Sequence, residues 1–445
     1  MKKKLATIMA VAVGMTTVLS ACGGGSDKGA NGTTATPGGS AAPKEFTVSF
    51  RHTQIKDTAK KRKAMFEDAL KEVEANVPGL KFESEGVDEV VNRDTKLKAE
   101  MAAGNPPKIF ELFGGTDTKN YAKTNNLLDL TPILDELGLK DKFVDLSEFT
   151  LDGKVYGLPI AGYLEGMFYN KKIFKDNGVE VPKTYEEFLK ACETFKSKGI
   201  TPMALGGNEA WVLNMLPNTL YVRVGGQSVV DGLQPGQSKW TDEAFVKGHT
   251  MFKDLIDKGY FNKDALALKY SQTQDRFANG ETAMIFDGGW ANQKYSNPDQ
   301  SKMAADLGFF NFPTVEGGKG NDLINGSYSN GFGFSAKLNE NEKKAVKEFI
   351  KVFFTEKYQL RQLKEEGFFP SMKLSSTGDK PIIAEMLKAS EGKKTFPAFD
   401  SLIQPKVKLD LESGIQAFVG GKKSVQDLLA DVQKSQEAEN KKTAK

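Results

Sequence analysis

The chain of 445 residues contains only two histidines, two cysteines and three tryptophans. Two cysteines cannot build a disulfide framework, and His52 and His249 leave almost no material for a histidine triad or a zinc centre. The Gly-x-x-x-x-Gly-Lys-Ser/Thr phosphate loop, the Gly-x-Ser-x-Gly nucleophile elbow, His-Glu-x-x-His and Cys-x-x-Cys are all missing. No catalytic residue, cofactor or metal is therefore expected. An excess of one charge is missing as well: 61 Lys+Arg face 58 Asp+Glu, and setting aside Lys2, Lys3 and Lys4 leaves 58 of each. Nothing in that balance calls for a nucleic-acid partner. No fixed-period repeat is present, which excludes a solenoid or propeller.

What is present begins with an address. Lys2, Lys3 and Lys4 precede a mainly apolar run over residues 5–19, interrupted by Gly14, Thr16 and Thr17, too short and broken for a membrane span. Residues 1–21 thus read as a signal peptide. Leu19-Ser20-Ala21-Cys22 resembles the lipobox of bacterial lipoproteins, which implies that Cys22 is lipidated (palmitate) and becomes the mature N-terminus. Residues 22–45 are then a lipid-bearing cysteine and a Gly/Ala/Ser/Thr/Pro tether, with a reach of roughly 25 Å. This places the body at the outer face of a cytoplasmic membrane, extracellular or periplasmic. No later stretch reads as a membrane-spanning helix.

The length implies more than one core-bearing lobe, and 30 phenylalanines provide the material. Phe46, Val48 and Phe50 alternate as in a strand, and residues 57–77 show helical spacing. A second strand with Leu80 and Phe82, a helix over 88–103 and an apolar strand over 109–113 follow. This βαβαβ order reads as a parallel doubly wound sheet, whose ligands collect at the carboxyl ends of its strands. Thr184-x-x-Glu187 has the form of a capping box opening a helix. Cys192 and His249 fall on apolar helix faces and read as packed residues. The tail from residue 434 onward is polar and is expected to fray, from 436 as a free segment.

Aromatic residues beside glycines carry the functional signal. Trp211 follows Gly206-Gly207, Trp290 follows Gly288-Gly289, and Tyr163 follows Gly162. A ring held this way presents an electron-rich face suited to the C–H face of a sugar, while neighbouring polar side chains bind hydroxyls.

The pieces Ala102-Ala-Gly-Asn-Pro-Pro-Lys-Ile-Phe110, Leu158-Pro-Ile-Ala161, Phe168-Tyr-Asn-Lys-Lys-Ile-Phe174, Val181-Pro-Lys-Thr-Tyr-Glu-Glu-Phe188, Phe277-Ala-Asn-Gly-Glu-Thr-Ala-Met284, Gly288-Gly-Trp290, Phe334-Ser-Ala-Lys337 and Gly421-Lys-Lys-Ser-Val-Gln-Asp-Leu428 occur in order along the body. Together they resemble bacterial extracellular solute-binding protein family 1, the maltose- and oligosaccharide-binding group that serves ABC transporters. The resemblance implies an α/β, two-lobed periplasmic-binding-protein fold of type II, with discontinuous lobes joined by a hinge. Lobe 1 is expected over 46–158 and about 326–374, and lobe 2 over 159–325 and about 375–435. Crossings are expected near Pro159-Ile160, residues 325–331 and residues 373–377. The implied ligand contacts are Trp290, Trp211, Tyr163, Asp287, Glu111, Asp117, His52, Gln54, Asn325 and Ser327. The implied partners are a carbohydrate and the permease subunits of the importer, with the receptor a monomer. The chain departs from the maltose type over residues 404–411, where no stacking aromatic aligns. The alternatives are a secreted glycoside-active enzyme using two carboxylates and a binder of a non-sugar solute on the same fold.

Overall fold

The computed structural model describes residues 44–56, 59–374 and 381–443. The leader, Cys22 and nearly all of the tether lie outside the described residues, as does part of the third expected crossing. Among the described residues, twelve strands occur in chain order: β1 (Phe46–His52), β2 (Leu80–Gly86), β3 (Ile109–Phe113), β4 (Thr150–Leu151), β5 (Lys154–Val155), β6 (Gly157–Asn170), β7 (Thr201–Ala204), β8 (Thr282–Gly288), β9 (Leu307–Phe310), β10 (Leu323–Phe334), β11 (Phe369–Pro370) and β12 (Lys394–Phe396). One large sheet runs β2-β1-β3-β10-β6-β8-β7, with β9 and β11 also pairing with β6 and β12 with β10. The strand β1 pairs in parallel with both β2 and β3, which is the doubly wound start that the βαβαβ order implies.

The core divides along this sheet. Near β1 and β3, Ile109 joins a cluster with Phe50, Phe66 and Phe349, while its neighbour Phe110 joins another with Leu97 and Phe149 on the opposite face. Beyond the crossing strands, Met284 packs with Phe188 and Trp240, and Ile285 with Phe277 and Tyr295. Adjacent strand residues thus feed opposite faces at both ends, so each half is a layered α/β core. Among the described residues, β6 and β10, both long and antiparallel to each other, contribute to both, and so does the helix Glu356–Glu366 through Tyr358 and Leu363. The pairing of the two strands changes register between Ser327 and Asn330 and again before Gly331. Such bulges bend a strand where it passes from one core to the other.

Local signals match the helices closely in the second half. Thr184 Oγ1 accepts from the Glu187 amide at 3.2 Å, and Glu187 Oε2 accepts from the Thr184 amide at 3.3 Å. Phe188, Ala191, Cys192 and Phe195 are then the buried face of the helix Tyr185–Ser197. Burial pushes the Cys192 thiol up, away from reactivity. His249 is packed too, its Nδ1 2.8 Å from the Phe245 carbonyl, and burial lowers it to about 4. Two expectations need correction. The helix expected over 88–103 is interrupted by a π-helical turn, Asn92–Lys96, in which Asn92 and Arg93 are buried. The tail expected to fray is helical as far as Thr443. It is docked by polar contacts that hydropathy does not register: Gln436 Nε2 donates to Gln404 Oε1 at 2.7 Å, and Asn440 Nδ2 to the Leu233 carbonyl at 2.8 Å.

Candidate functional site

Where β6 and β8 run side by side, four aromatic side chains converge. Tyr163 lies on β6, Trp211 in the first turn of the helix Ala210–Gly225, and Trp290 in the tight turn that follows β8. The fourth, Tyr270, opens the helix Tyr270–Ala278. Trp290 meets Tyr163 edge-on at 5.2 Å between centroids and Trp211 at 6.3 Å, and Trp211 meets Tyr270 at 4.9 Å. The three rings singled out in the sequence are all only partly buried, which is what ring faces available to a ligand require.

Hydrogen bonds fix this corner from behind. Trp290 Nε1 donates to the Tyr270 hydroxyl at 2.6 Å, and that hydroxyl donates to Asp287 Oδ1 at 2.6 Å. Asp287 is 0 % exposed. Its oxygens also accept from the Tyr295 hydroxyl at 2.5 Å, Gln274 Nε2 at 3.2 Å and the Gly288 amide at 2.7 Å. The carboxylate expected to touch a ligand is thus occupied by protein donors and orients Tyr270 and, through it, Trp290. Burial raises its carboxyl, against the pull of those donors.

On β10, Ser327 sits opposite Tyr163, and Asn325 opposite Glu165. Asn325 Nδ2 donates to Glu165 Oε2 at 2.7 Å. Burial, with Asp400 and Asp287 nearby, holds the Glu165 carboxyl well above the usual range. Ser327 lies beside both Tyr163 and Glu148, and the Tyr163 oxygen accepts from the Ala398 amide at 3.2 Å. Ser327 therefore adjoins the aromatic corner, and Asn325 lies two positions before it on the same strand.

The remaining expected contacts gather at the carboxyl ends of β1 and β3. Glu111 accepts from Gln54 Nε2 at 2.7 Å and from the Thr53 hydroxyl. Asp117 accepts from Arg93 Nε at 2.8 Å, and Arg93 reaches on to Asp400, donating to Oδ2 at 2.5 Å and to the carbonyl at 2.9 Å. Asp117 is committed to this ion pair. His52 is not brought to the corner: it is 4 % exposed, its ring centroid lies 6.3 Å from that of Phe50 and 6.5 Å from that of Phe66, and its Nδ1 accepts from the Gln54 amide. As the last residue of β1 it joins the apolar face, and burial lowers its basicity. Among the described residues, no group of three or more His, Cys, Asp or Glu side chains is placed to hold a metal ion.

The sequence profile of the bacterial extracellular solute-binding proteins matches residues 53–360. The chain belongs to that family. A solute-binding protein holds its solute rather than transforming it, so the chain is a receptor and not an enzyme. Among its relatives of known structure, a chitin oligosaccharide binding protein is 51% identical and superposes with a TM-score of 0.86, covering 89% of this chain and 100% of its own. The diacetylchitobiose binding protein DasA of Streptomyces coelicolor is 29% identical over 83% of this chain and 82% of its own length. The multiple sugar-binding protein of Streptococcus mutans serotype c is 26% identical over 70% and 72%.

The candidate site of this solute-binding protein also contains residues that carry no signal in the sequence. Tyr270 lies in a short helix that carries one aromatic at each end, too weak a period to stand out. Glu148, Arg93 and Asp400 are charges indistinguishable from solvated ones until the chain brings them together. Gly115, with φ of +65°, lets the turn after β3 approach Ser401: a Cβ there would sit 2.1 Å from the Ser401 carbonyl oxygen.

Proposed function

We propose that this receptor captures a carbohydrate, an oligosaccharide of the chitin type, between two lobes and delivers it to the permease of an ABC importer. The observation that carries the reading is the corner of Tyr163, Trp211, Trp290 and Tyr270, with partly buried rings braced by hydrogen bonds at the junction of two cores. The kinship with a chitin oligosaccharide binding protein supports the choice of sugar. Lobe 1 comprises 46–158 and about 326–374, and lobe 2 comprises 159–325 and about 375–435, with residues 436–443 added to lobe 2 by the contacts of Gln436 and Asn440. A ligand that touches both lobes favours the closed arrangement, and the bend in β10 takes up the rotation. Cys22 carries the lipid that keeps the monomeric receptor at the outer face of the membrane. Trp211, Trp290 and Tyr163 stack on the sugar, and Asn325, Ser327, Gln54 and Glu111 bind its polar groups.

Thermal-shift measurements across mono- and oligosaccharides test this. N-acetylglucosamine oligomers are expected to raise the melting temperature, with a gain of about 2.7 kcal/mol at a ligand concentration of 100 Kd. The oligomers should be recovered uncleaved. The Trp290→Ala variant is expected to bind roughly tenfold or more weakly, measured by calorimetry. Unchanged affinity in that variant removes the stacking assignment.

A further inference from the structure

The helix Lys60–Asn76 starts beyond the carboxyl end of β1, and its first turn carries Arg62. Arg62 is 6 % exposed. Its guanidinium carbon lies 3.8 Å from the centroid of the Phe368 ring, a cation–π contact that fixes the plane of the group. Its Nε and Nη2 are buried without a hydrogen-bond partner. These two N–H groups share one edge of the planar fork, the edge that grips oxygen acceptors in pairs. Buried donors left unanswered cost free energy, so that edge calls for an acceptor from outside the chain.

The surroundings define the acceptor. Glu111, Glu366 and Glu89 all lie close enough to act on the Arg62 charge. Three acidic groups around one guanidinium disfavour an anionic ligand such as a uronic acid, whereas a neutral oxygen meets no such repulsion. The same segment joins this place to the aromatic corner. Phe369, next to Phe368, pairs with Gly162 beside Tyr163. Gly367 rests against Asn292, two positions beyond Trp290, so closely that a Cβ would lie 2.2 Å from Asn292 Nδ2.

We propose that Arg62, held over Phe368, is a specificity-determining subsite that donates from Nε and Nη2 to neutral oxygens of the bound saccharide. This rests on the carbohydrate reading above. The oxygens belong either to an N-acyl carbonyl or to ring hydroxyls, and the two are told apart by ligand choice.

The test is calorimetric titration of wild type, Arg62→Met and Arg62→Lys with N-acetylglucosamine oligomers and with cello-oligosaccharides of equal length. Arg62→Met is expected to bind the N-acetylated oligomer roughly 10- to 100-fold more weakly. Arg62→Lys, which keeps the charge but not the two parallel donors, should recover only part of that loss. A loss confined to the N-acetylated oligomer assigns the carbonyl, and an equal loss on both series assigns the hydroxyls. If Arg62→Met does not fold, the Lys variant decides: affinity equal to wild type overturns the subsite. Wild-type affinity in Arg62→Met likewise overturns the subsite and leaves the carbohydrate reading intact. A wild type that binds neither series overturns that reading and the subsite with it.

Discussion

Glu148 shows how placement rewrites the chemistry of one residue. Burial pushes its carboxyl up to about 7, with Ser327 and Ser401 pulling the other way and Asp400 and Asp145 adding to the rise. The fold therefore favours its protonated form. Its share of stability is greatest below the ordinary carboxyl range and is lost as the pH rises through about 7. His249, lowered to about 4, acts in the opposite direction at acid pH, since the fold favours its neutral form. The difference between variants isolates the glutamate. In Glu148→Gln without ligand, the fall in melting temperature between about pH 6 and pH 8 should be smaller than in wild type, read by scanning calorimetry at several pH values. Identical slopes would mean that Glu148 is ionised in the fold.

At the scale of elements, the crossing pair β6 and β10 decides most. Gly162 on β6 lies under the Tyr328 ring, and a Cβ at this position would stand 2.4 Å from Tyr328 Cε1. The strand passes between the cores only because a glycine leaves room for that ring. Gly162→Val is expected to displace Tyr328 and to destabilise the protein by about 1–3 kcal/mol, measured by urea unfolding with the slope m unchanged. A variant as stable as wild type would show that Tyr328 has another place to go. The π turn Asn92–Lys96 is a second such device. Asp88 caps the helix start by accepting from the Val90 and Val91 amides, and the wider turn then sends Arg93 towards Asp117 and Asp400.

For the whole molecule, the contacts of Arg93 with Asp400 form part of a set that ties the first core to the second. Thr116 Oγ1 donates to the Ser401 carbonyl at 3.2 Å, Gln234 Nε2 donates to Thr116 Oγ1 at 2.8 Å, and Lys408 pairs with Asp94 at 3.2 Å. On the two-lobe reading proposed above, this set is a latch on the closed arrangement. Breaking a mostly buried ion pair from one side costs on the order of 1–3 kcal/mol after allowance for its partial exposure, enough to move a two-state balance about fivefold or more. Asp400→Asn should therefore enlarge the ligand-free radius of gyration in small-angle scattering and weaken sugar binding. An unchanged radius would show that the strands, and not this latch, hold the cores together.

Where a property depends on neighbours in the chain, the amino-acid order was mostly sufficient, the π turn Asn92–Lys96 being an exception. The alternation in β1, the Thr184 capping box, the buried faces of Cys192 and His249 and the doubly wound start follow from periodicity and local hydrogen bonding. The sequence motifs pointed to the family, and the glycine-flanked rings Tyr163, Trp211 and Trp290 do come together. Whatever depends on partners far along the chain was decided by tertiary structure. Asp287 carries the same carboxylate wherever it stands, and only the arrival of Tyr270, Tyr295 and Gln274 turns it from an open hydroxyl acceptor into a brace. His52 turns inward because Phe66 is there to receive it. The polar tail stays helical because Gln404 and Leu233 answer its amides. Arg62 and Phe368 are about three hundred positions apart, and nothing short of the fold sets one above the other. Periodicity reports which face of an element is buried, whereas the partner that a buried polar group meets is a fact of three dimensions.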